Sequence, residues 1–123
     1  MKRLLLIGLI LIFNNVNANE YFEPLSTQDI ILESVFTVYS LIDWQQTKNF
    51  VKDGIIETNP IFEKHPQQET IDSFIGLGII SHWFFVYMIP KEYRVYFQVT
   101  FIRTELKAVK VNESNGYSIS INF

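Results

Sequence analysis

Residues 73–90 read SFIGLGIISHWFFVYMIP, an 18-residue run with no Asp, Glu, Lys or Arg. As a helix this run is ~27 Å long, close to the ~30 Å hydrocarbon core of a bilayer. Pro90 lacks the N–H that a continuing helix needs, so the helix is expected over Gln68 to Ile89 and to stop there. Gly76 and Gly78 leave room for the backbone of a neighbouring helix, or of a second copy of the chain. This segment predicts a helix that can cross a membrane.

Upstream, Ser26-Thr27-Gln28-Asp29 pairs a hydroxyl with an acid three positions on, the signature of a helix start. Ile30 to Val51 then runs without Pro or Gly until Gly54 and predicts a second helix. At 100° per residue, Glu33, Thr37, Ser40, Asp43 and Thr47 fall on one narrow polar stripe, and the rest of the circumference is mostly apolar or aromatic. Such a helix belongs in a membrane bundle or a deeply buried core. The connector from Ile55 to Glu69 holds Pro60 and Pro66, and Asn59 before Pro60 is pushed toward extended backbone.

Downstream of Pro90, Lys91-Glu92 opens a third segment, and Tyr93 to Val111 predicts an amphipathic helix. Arg94, Gln98 and Glu105 share one face, while Arg103, Lys107 and Lys110 make the second half cationic. This helix can span, lie in the interface or cover the other two. After a turn at Asn112 to Gly116, Tyr117, Ile119, Ile121 and Phe123 alternate with polar residues, a strand pattern. The fold expected is mainly α: a small bundle of two to three transmembrane or membrane-associated helices with a short β-like C-terminal tail. A membrane β-barrel needs many more strands than this one.

The N-terminus reads as an address. Lys2 and Arg3 precede ten residues without a polar side chain, Leu4 to Phe13, and Val16-x-Ala18 supplies small residues at a cleavage position. Ten helical residues cover only ~15 Å, too short for an anchor. Residues 1–18 are therefore expected to be a cleavable signal peptide and residues 19–123 a single helical, membrane-associated domain. Cleavage after Ala18 would leave 105 of the 123 residues and, with Lys2 and Arg3 gone, lower the net charge from −3 to −5. The expected location is the inner membrane after export, with periplasmic or outer-membrane association as the other options. With the N-terminus left outside and the three helices crossing in turn, Lys48, Lys52 and Lys64 at and after the first helix lie on the inner side with Arg103, Lys107 and Lys110. Lys91 and Arg94 lie on the other, in keeping with the positive-inside tendency.

Composition narrows the classes further. The chain has 123 residues, 48% of them hydrophobic, with 11 Phe, 6 Tyr and 2 Trp, which does not suit a disordered chain. The absence of cysteine removes disulfides, Cys-based zinc sites and a lipid-attachment cysteine. A net charge of −3 does not suit a nucleic-acid partner. The expected partner is the lipid membrane, together with other envelope or phage proteins, and self-association through Gly76 and Gly78 is open. No cofactor is implied.

The spacing Asp43-x-x-x-Thr47, Gly54 and Glu57-x-Asn59-Pro60 resembles a signature of uncharacterised small bacterial and phage membrane proteins. The run Asp43-Trp44-Gln45-Gln46-Thr47, with Glu57-Thr58-Asn59-Pro60-Ile61 and His65-Pro66, looks most like the phage-encoded members. The likeness covers roughly residues 40 to 90. It implies a small helical envelope protein in a phage or prophage setting, and no reaction.

Asp43, Thr47, Glu57, Asn59 and His82 are the candidate site. Asp43 and Thr47 are one turn apart, so the hydroxyl can donate to the carboxylate and lower the cost of burying it. Glu57 and Asn59 can fold back over the same stripe and complete a proton or ion relay, since ionisable groups in spans mark functional sites. They can equally cap helix ends, with Asp43 paired to Arg103 or Arg94. His82, central in its apolar helix, is expected to bond Asp43 or Glu105. His65 and His82 are the only histidines, no His-Glu-x-x-His occurs, and residues 76–81 form no Gly-x-Ser-x-Gly. The expected function is that of a non-enzymatic envelope protein acting on the host envelope, as a lysis accessory or exclusion factor. A membrane-embedded enzyme or ion-coupled protein using Asp43, Glu57 and His82 is the alternative, and a soluble periplasmic helical domain the third.

Overall fold

Ser26 and Asp29 start the first helix as their spacing predicts. The Asp29 amide donates to Ser26 Oγ at 3.1 Å, while the Ser26 amide and hydroxyl both donate to Asp29 Oδ2 at 2.8 Å. In this computed structural model, residues 21–54 and 66–119 are described. They contain three helices, α1 (Thr27–Lys52), α2 (Gln68–Met88) and α3 (Lys91–Ser114). Gly54, at φ +76°, takes the left-handed conformation that ends α1 where glycine is expected. Pro90 ends α2 by forcing Ile89 into extended backbone (ψ 138°), and α3 begins at the next residue.

The two-residue Ile89-Pro90 junction makes α2 and α3 antiparallel. α1 runs parallel to α3, packs along it most extensively and along α2 next, while α2 and α3 touch least. Indole N–H groups help to fix α1 against α2. Trp83 donates to Thr37 Oγ1 at 3.0 Å, and Trp44 donates to Asp72 Oδ1 at 2.8 Å. Lys48 also meets Asp72 at 2.8 Å, a partly exposed ion pair of small energetic weight.

The polar stripe of α1 turns inward. Among the described residues, the buried polar set is Asp29, Glu33, Ser40, Gln46, Thr47, His82, Arg94 and Gln98, against only Phe36, Phe50, Ile71, Val86, Ile89 and Val109 as buried apolar side chains. The large apolar side chains face out instead. Ile30, Ile31, Val38 and Leu41 on α1, and Phe74, Leu77, Ile80 and Phe84 on α2, are exposed, Leu77 by 65% and Ile80 by 67%. Monomeric water-soluble proteins rarely expose a contiguous apolar patch of more than a few hundred Å².

Two sequence expectations need correction. Of the two to three transmembrane or membrane-associated helices expected, three form, and among the described residues only α2 is long and apolar enough to cross a membrane, with 17% of its apolar window buried. α1 falls short in hydropathy because Glu33, Asp43, Gln45 and Gln46 interrupt its apolar stretch. The β-like C-terminal tail is not supported. Tyr117 to Ile119 form no strand, since Tyr117 turns back onto α1, its hydroxyl donating to Asp53 Oδ2 at 3.0 Å and its ring edge resting on Phe50. Gly76 and Gly78 face open space, so the described helices do not use the close approach they permit. The expected signal peptide (1–18), Glu57, Asn59, His65 and residues 120–123 lie outside the described residues.

Candidate functional site: a polar column inside the bundle

At one end of the column Arg94 spends all five of its N–H donors. Nε donates to the Ile89 carbonyl at 2.8 Å, and Nη2 to the Glu23 and Tyr87 carbonyls at 2.7 and 3.3 Å. Nη1 donates to the Pro24 carbonyl at 3.2 Å and to Asp29 Oδ2 at 3.3 Å. Tyr87 and Ile89 lie at the C-terminal end of α2, where carbonyls lack partners within the helix, so a buried cation is well placed there. The Asp29 carboxylate, already held by Ser26, supplies its counter-charge.

One turn further along, Gln98 and His82 converge on Glu33, which is completely buried. Gln98 Nε2 donates to Glu33 Oε1 at 3.0 Å and to the Asp29 carbonyl at 2.9 Å. His82 Nδ1 lies 2.9 Å from Glu33 Oε2. With the Glu33 carboxylate ionised it can only accept, and the imidazole then donates from Nδ1. The imidazole stacks on Phe36 at 3.8 Å and on Phe97 at 4.8 Å, with the edge of Phe101 at 4.7 Å. His82 Nε2, Gln98 Oε1 and Ser40 Oγ are buried without a hydrogen-bond partner among the described residues.

The far end holds the second polar cluster. Asn112 Nδ2 donates to Asp43 Oδ1 at 2.7 Å and to Gln46 Oε1 at 3.2 Å, and Gln46 Nε2 donates to the Tyr117 carbonyl at 2.8 Å. The Tyr117 hydroxyl is held above its ordinary pKa of 10.0 by partial desolvation and by the neighbouring Asp53 carboxylate. Thr47 is buried one turn from Asp43.

The expected site is therefore divided. Asp43 and Thr47 belong to the far cluster. His82 does not meet Asp43 or Glu105 as expected; it bonds Glu33, ten residues and ~15 Å of helix before Asp43. Asp43 has an amide partner in Asn112, while Arg94 is engaged by Asp29. The residues that sequence reasoning undervalued are Glu33, Arg94 and Gln98. The signal was present, because Arg94 and Gln98 are one turn apart on the polar face of α3 and Glu33 heads the stripe of α1.

The column can hold charge and hydrogen-bonded protons within an apolar shell. No group of three or more His, Asp or Glu side chains that could hold a metal ion occurs among the described residues. In comparisons with known proteins, no family model, curated protein or solved structure matches the chain.

Proposed function

We propose that this chain is a small, non-enzymatic protein of the cell envelope, embedded in a lipid bilayer through α2 with the outer face of α1 beside it. The inverted polarity carries this reading: a fully buried Glu33 inside, and Leu77 and Ile80 outside. In water that arrangement leaves apolar surface hydrated and places ionisable groups in the interior, two unfavourable choices at once. In lipid both become the expected ones, because intramembrane ionisable residues face the bundle interior and pair with one another. The same polarity argues against the soluble periplasmic domain.

The signal-like N-terminus and the resemblance of residues 40–90 to small phage membrane proteins add export and a phage setting. The role is then action on the host envelope, as a lysis accessory or exclusion factor. Expression in a Gram-negative host tests it in two steps. The protein should stay in the membrane pellet after carbonate extraction, and envelope permeability, lysis timing or phage entry should change. Release by carbonate overturns the membrane reading; retention without any phenotype overturns the envelope role.

A second reading, a proton- or ion-coupled protein, is favoured by one observation. His82 Nε2, Gln98 Oε1 and Ser40 Oγ are polar atoms left without partners along the column between Glu33 and Asp43. Glu33→Gln, His82→Gln, Asp43→Asn and Glu57→Gln should each abolish the phenotype with insertion intact if this reading holds. Unchanged phenotypes with intact insertion dismiss it.

A further inference from the structure

Along the outward side of α3, Arg103, Lys107 and Lys110 recur at helical spacing, all exposed. Together with Leu106, Val111 and Ser114 they line an open groove of about 390 Å³, and no acid lines it. None of the three cations forms an ion pair with the described residues. Three cations with no ion pair to a described residue are not used in holding the described helices to one another.

The position of the groove identifies its occupant. Arg94 lies level with Asp29 and Asn112 with Asp43 and Gln46, so Arg103 to Ser114 run beside the second half of α1. The exposed apolar side chains of α1 end at Leu41, and those of α2 begin at Phe74, after the ion pair of Lys48 with Asp72. By that register Lys107 and Lys110 stand just past Leu41, where the apolar band gives way to charge, and Arg103 one turn inside it, level with Val38; in a bilayer that boundary is the headgroup level. Long Arg and Lys side chains reach that level while their stems stay on apolar surface. The lining is also two-sided in chemistry: the cations suit a phosphate, and Leu106 and Val111 suit an acyl chain.

We propose that this groove binds an anionic phospholipid of the surrounding bilayer, its phosphate held by Arg103, Lys107 and Lys110 and its upper acyl chain resting on Leu106 and Val111. This rests on the membrane reading above. Basic pockets on membrane helices recognise anionic headgroups in this way, and each cation near the surface contributes about fivefold in affinity. The bound lipid would fix the depth of α3, the one described helix whose outer face is not mainly apolar.

The full-length protein, purified in a neutral detergent, is titrated with phosphatidylglycerol, phosphatidylcholine or inorganic phosphate while its thermal unfolding is followed by circular dichroism. Phosphatidylglycerol should raise the midpoint saturably, and phosphatidylcholine and phosphate should not. The variant R103Q/K107Q/K110Q should need more than about tenfold more phosphatidylglycerol for the same rise, and the single variant Lys107→Gln about fivefold more. An equal response of wild type and both variants overturns the proposal, as does an equal response to phosphatidylcholine. A response to phosphate alone overturns the lipid and leaves a free-anion site. Carbonate extraction of the same proteins separates the two ideas. Retention with an unselective lipid response removes only the groove, whereas release of the wild type removes the membrane reading and the groove with it.

Discussion

The Arg94 guanidinium lies 3.3 Å from the Asp29 carboxylate, both buried at the end of the bundle where α2 turns into α3. Asp29 also closes the capping box that starts α1, and Arg94 also ties down the last carbonyls of α2. One ion pair thus joins the beginning of α1, the end of α2 and the first turn of α3. The carbonyls of Glu23 and Pro24, gathered by the same guanidinium, bring the segment before α1 into the knot.

Replacing Arg94 by Met releases five hydrogen bonds at once and leaves Asp29 with Ser26 alone. Removing one partner of a buried, hydrogen-bonded pair costs about 3–5 kcal/mol. Thermal unfolding in a mild detergent, followed by circular dichroism, should show a loss of that size. Arg94→Lys should recover little of it, because an ammonium has three donors at one point and cannot reach the same carbonyls as a planar fork. A loss of less than about 1 kcal/mol for Arg94→Met would mean that the knot does not hold the bundle together.

Glu33 is the acceptor on which two helices converge, so its removal and that of His82 should not be additive. The pair lies in direct contact at 2.9 Å, in a site closed by Phe36, Phe97 and Phe101. Residues in one hydrogen-bond network show interaction energies of about 0.5–3 kcal/mol. A double-mutant cycle with Glu33→Gln and His82→Phe, read by thermal unfolding, should give a coupling in that range. A coupling of zero would show that the imidazole is held by its ring stacking and not by the carboxylate.

Local chemistry made much of the fold legible in the sequence. Ser26 with Asp29, Gly54 and Pro90 each act through the backbone of their own few residues, and the three helices begin and end close to where these residues put them. The polar stripe was legible too, but which way it points was not, because periodicity is the same whether a stripe faces water or a neighbouring helix. Partner choice was the least readable. The contact of His82 with Glu33 depends on the vertical register of α2 against α1, and that register is set by Trp83 on Thr37 and Trp44 on Asp72, contacts that no sequence spacing encodes. The tail failed for a similar reason: alternation at Tyr117 and Ile119 fits a strand, but α1 offers Asp53, Gln46 and Phe50 as partners where no strand is available.

The contact of Tyr117 with Asp53 makes a pH-dependent clasp between the two ends of α1 and α3. Its hydroxyl pKa is raised above 10.0, by partial desolvation and by the Asp53 carboxylate. With the folded value above the unfolded one, the contribution of the clasp is fully present below pH 10 and is lost as pH rises through the folded value. Thermal midpoints measured from pH 8 to 11 should fall more steeply for the wild type than for Tyr117→Phe, which has no hydroxyl to ionise. Parallel curves would show that the hydroxyl does not contribute to holding the tail.

Exposed Ile80 separates the two environments in which this bundle could be placed. Its side chain is 67% exposed, on the outer face of the one helix among the described residues that is long and apolar enough to span. In water, an Ile80→Lys substitution touches no core contact and should change stability by no more than about 0.5 kcal/mol. In a bilayer the same change sets an ammonium against hydrocarbon near the centre of a span, at a cost of about 2.5–3.5 kcal/mol on the insertion scale. The variant should therefore partition out of the carbonate-resistant membrane fraction by a factor of about one hundred relative to wild type, in proportion to that cost. Lys110→Ile, a change of similar size in the opposite direction on α3, should leave the partition unchanged or raise it. If Ile80→Lys remains in the membrane pellet as fully as the wild type, the outer face of α2 does not meet lipid, and the inverted polarity of the bundle must be covered by another protein surface instead.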